Sequence, residues 1–398
     1  MTTETRLVSL DVFRGLTMAG MVIVNNPGDW GNVYWPLLHA AWHGWTPTDL
    51  IFPFFLFIVG VSITLSKKTA SWSSIFRRAA IIFALGLFLA GYSRFNIERW
   101  RIPGVLQRIA VCYLVAAVIY RITSKRRVDP LGVPPAREAL RRTRRSLGGG
   151  GGSWRFGVDT AQAALIAGAA LLLALGYWAV MAFVPPPGGV AGDLTPEGNL
   201  GAWIDRALMS GHLWKPKWDP EGLLSTIPAI TTTLFGVLAG MCLSSEKTPQ
   251  RKAALLAIGG VALVLVGQSW HFAFPINKNL WTSSYAIFTA GLASLLLAAL
   301  YWMIDIKGWR GWTKPLVILG SNAITLFVAS GLLVKTLSLI RVAGDDGRDI
   351  SVSRYAYLQW FVPLASPKNA SLLYALANLV ILFALLAWMY RRRLFLRV

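Results

Sequence analysis

Apolar segments of about 20 residues recur from one end of the chain to the other, and short polar segments separate them. A segment of this length and hydropathy is typical of a helix that crosses the hydrocarbon core of a bilayer. The pattern therefore predicts an all-α polytopic membrane protein with about ten transmembrane helices in one membrane domain. The predicted spans are residues 7–26, 48–66, 75–92, 104–122, 158–184, 222–243, 252–270, 280–303, 315–337 and 370–390.

Composition and charge agree with this prediction and exclude other classes. Of the 398 residues, 55% are hydrophobic and only 14% are charged, which is too apolar for a soluble globular domain. The formal net charge of +21 does not predict nucleic-acid binding, because the basic residues occur in short clusters between the spans. We interpret these clusters as topology signals and contacts with anionic membrane lipid. Both cysteines, Cys112 and Cys242, lie within apolar segments, so we predict neither a disulfide nor a thiolate metal site.

Basic clusters follow the second, fourth and sixth spans and close the chain. The largest contains ten Lys or Arg residues between Arg121 and Arg155. Because cytoplasmic loops carry the excess of Lys and Arg, this distribution predicts that both termini are cytoplasmic. The segment 124–156 adds a proline-rich stretch and a run of five glycines to this basic cluster. We predict that it is a flexible cytoplasmic linker between spans 1–4, in residues 1–123, and spans 5–10, in residues 157–398.

Two of the four histidines, His39 and His43, lie in the segment "HAAWHGWTPTDL" just before the second span. The charge pattern places this segment on the outer side of the membrane. The i, i+4 spacing is that of zinc peptidases, but the glutamate and the third ligand of such a site are missing, so we predict no metal. The surrounding tryptophans also fit an interfacial aromatic belt, in which His43 would be structural. Asp49 follows where its carboxylate would either cap the second span or fix the tautomer of His39.

Several charged or amide side chains interrupt the spans or lie at their ends. Polar groups inside a bilayer are costly unless they are paired or line a cavity. Arg14 would pair with Asp11 or belong to an anion site, and Arg108 would require a polar cavity or a phosphate-bearing ligand. Asp219 and Glu221 would cap the sixth span or bind a cationic or hydroxyl-rich substrate. Further polar positions of this kind are Asn277, Lys278, Ser321 and Asn322.

Six motifs occur in the order seen in the heparan-alpha-glucosaminide N-acetyltransferase family, part of the transmembrane acyltransferase superfamily. They are "SLDVFRGLTMAGMVIVNN", "HAAWHGWTPTDLIFPFFLFIVG", "RIPGVLQRI", "WIDRALMSGHLW", "WDPEGLLSTI" and "FPINKNLWTSSY". The resemblance covers residues 6–398. It implies an enzyme that transfers acetyl from cytoplasmic acetyl-CoA across the membrane to the amine of a terminal glucosamine. The chain resembles a bacterial inner-membrane relative without the extra lumenal domain of the lysosomal members, which also suggest a homodimer.

By the same resemblance, His39 matches the active-site histidine of the family and Asn25 matches its active-site asparagine. The stretch between these two residues is longer here, His43 stands where the family has asparagine, and Ser330 stands where some members have a further histidine. We expect His39 to act either as a general base or as a nucleophile that holds the acetyl group. Asn25 would stabilise the tetrahedral intermediate, and Asp49 would orient the imidazole.

Acetyl-CoA would be held by basic and polar side chains along a tunnel that opens to the cytoplasm. The expected contacts are Arg14, Arg108, Lys278, Ser321 and Asn322 for the cofactor, and Asp219, Glu221 and Asn277 for the acceptor. Two alternatives stay open at this stage. A transporter of amino sugars or envelope precursors would use the same polar groups without acyl chemistry, and an O-acyltransferase would modify a hydroxyl group of an envelope glycan.

Overall fold

The computed structural model describes residues 7–66, 71–92, 95–124, 160–344 and 348–396, and this part of the chain is almost entirely helical. The long helices are α1 (Val8–Asn25), α2 (Ile51–Leu65), α3 (Trp72–Gly91), α4 (Val105–Thr123), α5 (Thr160–Phe183), α7 (Thr226–Ser244), α8 (Pro249–Trp270), α9 (Ser283–Leu300), α11 (Ala323–Leu339) and α13 (Pro367–Arg391). The shorter helices are α6 (Leu200–Met209), α10 (Lys314–Ser321) and α12 (Val352–Ala356). An antiparallel pair of strands joins β1 (Arg341–Ala343) to β2 (Asp349–Ser351).

The predicted transmembrane architecture is confirmed. Within the described ranges, nine helical segments are long and apolar enough to cross a membrane, and the bent pair of α10 and α11 makes a tenth. A helical turn at Pro47–Leu50 leads into α2, and a π-helical turn at Tyr301–Ile306 extends α9. The predicted linker 124–156 lies, apart from its first residue, outside the described residues.

The ninth span differs from its prediction because it is broken at Asn322, where α10 and α11 meet at 79°. The backbone of Asn322 leaves the helical region, with φ −127° and ψ 46°. Its side chain is bound to the end of the chain: Nδ2 donates to the carbonyl oxygen of Leu394 (3.1 Å), and Oδ1 accepts from the N–H of Leu396 (3.0 Å). The first turn of α11 therefore has no side-chain cap. The apolar pattern of the ninth span could not predict this break, because the hydrogen-bond partners of Asn322 lie 72 and 74 residues further along the chain.

Both ends of the described chain lie at the same end of the helix bundle. Leu7 at the start of α1, Ser66 after α2 and Leu396 near the C-terminus line one cavity. We refer to this end of the bundle as the terminal face. The opposite end, the loop face, carries the segments 26–46, 184–225 and 271–282.

Hydrogen bonds tie the three segments of the loop face to one another. The indole Nε1 of Trp42 donates to the carbonyl oxygen of Leu194 (2.8 Å), which joins the first segment to the second. The N–H of Gly44 donates to the carbonyl oxygen of Ile276 (2.7 Å), which joins the first segment to the third. The histidine-containing segment is thus held in place by two segments that are distant from it in sequence.

Helices α2 and α7 approach each other more closely than side chains would allow, because glycines occupy their interface. A Cβ atom on Gly60 would lie 2.0 Å from the carbonyl oxygen of Thr233, and one on Gly236 would lie 2.1 Å from that of Phe57. Close backbone contact through small residues is a general way of packing transmembrane helices, where lipid provides no hydrophobic driving force. This contact holds α2 in place, and Asp49 lies in the helical turn that leads into α2.

We expect Gly236→Ala to lower the melting temperature of the detergent-solubilised protein. The added methyl group would force α2 and α7 apart, and overpacking of this kind costs about 1–3 kcal/mol. The control is Gly259→Ala in α8, where an added Cβ meets no atom within 4 Å. Both substitutions change helix propensity equally, so equal melting temperatures for the two variants would show that this contact does not limit stability.

Candidate active site

The carboxylate of Asp49 caps the helical turn that begins the second span. Its Oδ2 accepts the backbone N–H of Thr46 (3.0 Å), and the hydroxyl oxygen of Thr46 accepts the backbone N–H of Asp49 in return, which forms a capping box with Pro47 as the first helical residue. Oδ2 of Asp49 also accepts the N–H of Ala40 (3.0 Å). The side chain is 1% exposed. The capping role considered for Asp49 from the sequence is therefore present, and it occupies only one of the two carboxylate oxygens.

The second carboxylate oxygen of Asp49 binds His39. Oδ1 lies 2.7 Å from Nδ1 of the imidazole. Because an ionised carboxylate can only accept, Nδ1 carries the proton and donates it to Asp49. In the neutral imidazole, Nε2 then presents its lone pair. The His39 side chain is 48% exposed, so a buried acid here orients an accessible base.

Lys278 lies against the imidazole of His39 and competes for this lone pair. Its Nζ lies 3.0 Å from Nδ1 and 3.1 Å from Nε2, and 3.8 Å from Oδ1 of Asp49. Since the hydrogen on Nδ1 points to Asp49, Nε2 is the ring nitrogen that can accept from Lys278. Burial lowers the pKa of Lys278, and this effect outweighs the opposing attraction of Asp49. A ligand that uses Nε2 must therefore displace this amine.

Asn277 shapes the turn that presents Lys278. It is fully buried, its Oδ1 accepts the N–H of Leu280 (2.9 Å), and its own N–H donates to the hydroxyl of Thr282 (3.1 Å). Its Nδ2 approaches Nδ1 of His43 at 3.4 Å. Burial lowers the pKa of His43. Asn277 was predicted to contact the acceptor substrate. In the structure its hydrogen bonds are made to other residues of the protein, and they hold the turn beside His39 and His43.

His39 and His43 have different hydrogen-bond partners. His39 pairs with a carboxylate, whereas His43 faces an amide of the loop. Among the described residues, no group of three or more His, Cys, Asp or Glu side chains is placed to hold a metal ion.

Asn25 is the last residue of α1, and its side chain is exposed. No hydrogen bond between described residues joins it to His39 or Asp49. Its neighbour Asn26 is buried instead, and its Nδ2 donates to the carbonyl oxygen of Val22 (2.5 Å) and to the hydroxyl of Ser330 (3.3 Å). The structure therefore links Ser330 to Asn26, a residue that the sequence analysis did not single out.

Asp219 and Glu221 are held by Arg101, which the sequence analysis also missed as a site residue. Arg101 donates to both oxygens of Asp219 (2.9 and 2.7 Å) and to Glu221 (2.5 Å). Asp219 additionally accepts the N–H groups of Trp214 (2.7 Å) and Glu221 (2.8 Å). Burial raises the pKa of Asp219, but the bonds from Arg101 more than reverse this and the net pKa is below its usual value. The two carboxylates and Arg101 therefore hold the segment that precedes α7 in place. The motif "RIPGVLQRI" contained the signal, since it carries Arg101 as well as Arg108.

Arg108 is a fully buried charge with incomplete pairing. Its side chain is 2% exposed, and one terminal nitrogen donates to the carbonyl oxygen of Gly222 (3.1 Å) and to the hydroxyl of Ser225 (2.5 Å). The guanidinium also stacks on the indole of Trp281, with 5.1 Å between the guanidinium carbon and the ring centroid. Nε and the other terminal nitrogen have no hydrogen-bond partner. Arg108 and Lys278 therefore lie on the His39 side of the molecule.

The other three predicted cofactor contacts meet at the opposite end, in a cavity of about 1020 Å³ at the terminal face. Arg14, Ser321 and Asn322 all line it. Arg14 donates to Asp11 (3.2 Å) and to the hydroxyl of Ser62 (3.0 Å). The predicted set thus divides between two locations, because helix rotation and depth could not be read from the sequence.

A short aromatic region separates the cavity from His39. Phe55 lines the cavity and follows Asp49 by six residues, which corresponds to about 9 Å along a helix. Between them, Phe52 packs edge-on against Trp281, with ring centroids 5.0 Å apart. Trp281 is 1% exposed. The cavity therefore extends along α2 as far as Phe55, and neither ring of this pair lines it.

Asp205 in α6 is a further buried acid at the loop face that the sequence analysis did not select, although "WIDRALMSGHLW" contains it. Its Oδ1 accepts the N–H of Leu223 (2.9 Å), just before α7 begins. Burial raises its pKa from 3.8 to about 6, and the single backbone bond offsets this only in part.

We expect this acid to make stability fall as pH rises. The folded protein holds the proton up to about pH 6 and the unfolded chain only to about 3.8, so the free energy of unfolding decreases across that window by at most about 3 kcal/mol. Asp205→Asn should flatten the curve of melting temperature against pH between 4 and 6.5, and Glu197→Gln at an exposed position should leave it unchanged. Parallel curves for wild type and Asp205→Asn would contradict the assignment.

Comparison with known proteins relates this geometry to a family. Residues 6–128, which contain His39 and Asp49, match the family model described as heparan-alpha-glucosaminide N-acetyltransferase, catalytic. The chain is 32% identical over 370 residues to the Homo sapiens protein of that name, an alignment covering 81% of this chain and 52% of the human protein. The corresponding Mus musculus protein is 32% identical over 374 residues, covering 82% and 54%.

The chain thus spans about half the length of the curated relatives it matches. The match extends over most of this chain. The family model and both relatives carry the same name. Over most of its own length, the chain is therefore similar to members of the heparan-alpha-glucosaminide N-acetyltransferase family.

Proposed function

We propose that this protein transfers an acetyl group from acetyl-CoA, bound at the terminal face, to the amine of glucosamine or a glucosamine-terminated saccharide at the loop face. The observation that carries the proposal is the His39–Asp49 pair, a base oriented by a buried carboxylate at 2.7 Å. Similarity to the heparan-alpha-glucosaminide N-acetyltransferases suggests the reaction class and the acceptor. The cavity at the terminal face supplies a place for the donor.

Sidedness follows from the positive-inside rule. Arg77 and Arg78 near the start of α3, and the cluster 391–393 at the end of α13, lie at the terminal face, so we assign this face to the cytoplasm. Acetyl-CoA would enter from there, and the acceptor would approach His39 from the outside. In a bacterial cell the corresponding membrane is the inner membrane. A homodimer, implied by the resemblance, belongs to the same proposal.

The cavity suits the donor in charge and extent. Its volume of about 1020 Å³ is at the upper end of small-molecule sites. Arg14 contributes to its lining, with Ser321 nearby on the broken ninth span. From the end of the cavity to Asp49 the acetyl group has about 9 Å left to travel along α2. Motion of Phe52 and Trp281 would open this last part for the long pantetheine arm.

At the site itself, two routes use the same residues. In direct transfer, Nε2 of His39 accepts a proton as the amine attacks the thioester carbon; the C–N bond forms, the C–S bond breaks, and CoA leaves as a thiolate that takes the proton. In the covalent route, Nε2 first attacks the thioester carbon, the C–S bond breaks and CoA leaves as a thiolate. The amine then attacks the acetyl carbon, the bond to Nε2 breaks, and the thiolate takes the proton that the amine releases. Both require Nδ1–H to be held by Asp49. Both also require the amine of Lys278 to leave Nε2.

The remaining predicted residues receive narrower roles in this proposal. Asn25 and the unpartnered nitrogens of Arg108 would donate to the carbonyl oxygen as it becomes negative. Asp219 and Glu221 would act through Arg101, which keeps the loop before α7 in place beside the acceptor. Asn277 would hold the turn that carries Lys278.

We expect His39→Ala to abolish acetyl transfer from acetyl-CoA to glucosamine while the protein remains folded in the membrane. The matched control is His43→Ala, which removes an imidazole from the same segment but leaves the His39–Asp49 pair intact and should retain most activity. The measurement is the release of free CoA together with formation of N-acetylglucosamine. Wild-type turnover by His39→Ala would contradict a role of His39 in acetyl transfer.

The same assay separates the alternatives. Release of CoA that requires an amino sugar contradicts a transporter without chemistry. Loss of the reaction when the amine of the acceptor is blocked, but not when its hydroxyl groups are blocked, contradicts O-acylation.

We expect Asp49→Asn to lower kcat by roughly 10²- to 10⁴-fold with little change in KM for acetyl-CoA. The amide oxygen can still accept the N–H groups of Thr46 and Ala40, so the cap persists. The amide nitrogen would instead face Nδ1 and donate to it, which leaves the proton on Nε2 in the wrong tautomer. Thr46→Val, which weakens the cap but not the His39 bond, should lower stability without this loss of kcat. Equal kcat losses in both variants would indicate that Asp49 acts only through the fold.

A further inference from the structure

Two polar side chains in the wall of the terminal-face cavity have hydrogen-bonding groups with no partner. Arg78 in α3 and Tyr113 in α4 both line the cavity. Nε of Arg78 and the hydroxyl of Tyr113 are buried, and neither is hydrogen-bonded. The guanidinium carbon lies over the face of the phenol ring, 4.9 Å from its centroid, so Arg78 is a polar neighbour of the hydroxyl without an aligned hydrogen bond to it. Buried donors of this kind are costly unless a ligand accepts from them.

The charge of Arg78 is also unbalanced, in contrast to that of Arg14 in the same cavity. Arg14 forms an ion pair with Asp11 at 3.2 Å. Within the part of the chain that the structure describes, no acidic side chain forms an ion pair with Arg78. The positive charge of this wall is therefore free to attract an anion.

The start of α11 adds backbone donors to the same cavity. Ala323 and Ile324, the first residues of this 17-residue helix, line the cavity. The first N–H groups of a helix have no partner within the helix, and the helix dipole makes this end positive. Asn322, which would normally supply the cap, has its amide bound to Leu394 and Leu396. The N–H groups of the first turn thus remain available to a ligand.

A guanidinium without an ion-pair partner, a phenol hydroxyl and an uncapped helix N-terminus together match a tetrahedral anion with several strong acceptor oxygens. The inference rests on the proposed function, in which a CoA ester occupies this cavity. We propose that Arg78, Tyr113 and the first turn of α11 form the subsite that binds a phosphate group of the acetyl-CoA donor. Arg14, already paired with Asp11, would line the path beyond it.

The first test measures binding without catalysis. Adenosine 3′,5′-bisphosphate and CoA are titrated into the detergent-purified protein by calorimetry. Arg78→Gln should weaken the binding of both by at least about tenfold, because a charge-assisted hydrogen bond is lost. Tyr113→Phe, which removes only the hydroxyl, should weaken it by roughly three- to tenfold. The matched control is Arg77→Gln, the exposed neighbouring arginine outside the cavity lining, which should bind like wild type.

The second test identifies the phosphate by removing parts of the donor. KM is compared between wild type and Arg78→Gln for acetyl-CoA, acetyl-dephospho-CoA and acetyl-pantetheine. If Arg78 binds the 3′-phosphate, the difference between the two proteins disappears with acetyl-dephospho-CoA. If it binds the diphosphate, the difference persists there and disappears with acetyl-pantetheine. A difference that survives with acetyl-pantetheine, or none with acetyl-CoA, overturns the proposal.

The outcomes keep this proposal apart from the proposed function. Turnover by wild type with an unaffected Arg78→Gln variant would reject the subsite and leave the acetyltransferase intact. Binding of the bisphosphate that depends on Arg78, without turnover by any protein, would reject the acetyltransferase and leave the phosphate subsite. If nanodiscs with phosphatidylglycerol, but not the bisphosphate, raise the melting temperature of wild type and not of Arg78→Gln, the anion is a lipid and the proposal fails.

Discussion

The division of one carboxylate between two tasks is the constraint on which the rest of the site depends. Asp49 uses Oδ2 to begin the second span and Oδ1 to hold His39. A helix cap is rigid because it is part of the backbone hydrogen-bond network. Tyr285 strengthens it further by donating to the carbonyl oxygen of Asp49 (2.5 Å). The start of a transmembrane helix therefore fixes the orientation of the imidazole, and Nε2 is the ring nitrogen that faces away from Asp49.

The buried charges around the site show two different solutions to the cost of desolvation. Arg101 is satisfied by two carboxylates, so it acts as a fixed strut between the segment before α4 and the segment before α7. Arg108 is paired with neutral groups on one nitrogen only. A fully paired charge stabilises one conformation, whereas an incompletely paired one retains affinity for an incoming acceptor. The first is suited to architecture and the second to binding.

The sequence predicted those features that depend on local pattern. Ten spans follow from the length of apolar segments, and the capping position of Asp49 follows from the residues around it. The break at Asn322 could not be predicted, because it depends on the end of the chain. The sequence also could not predict that the expected cofactor contacts lie at two separate locations. A residue's position along a helix indicates its depth in the membrane, but not which neighbouring helix its side chain faces. Arg101 was visible in its motif, but nothing local distinguished it from Arg108 as the residue that pairs with Asp219.

Transfer across a membrane requires that the donor and acceptor sites keep a fixed distance although they open to opposite sides. Here α2 provides this: Asp49 lies at its beginning, and Phe55, Ser62 and Ser66 line the cavity along the rest of its length. The glycine contact with α7 prevents α2 from shifting. The ring pair Phe52–Trp281 lies between Phe55 and Asp49 and would have to move, and one side of Trp281 is covered by Arg108.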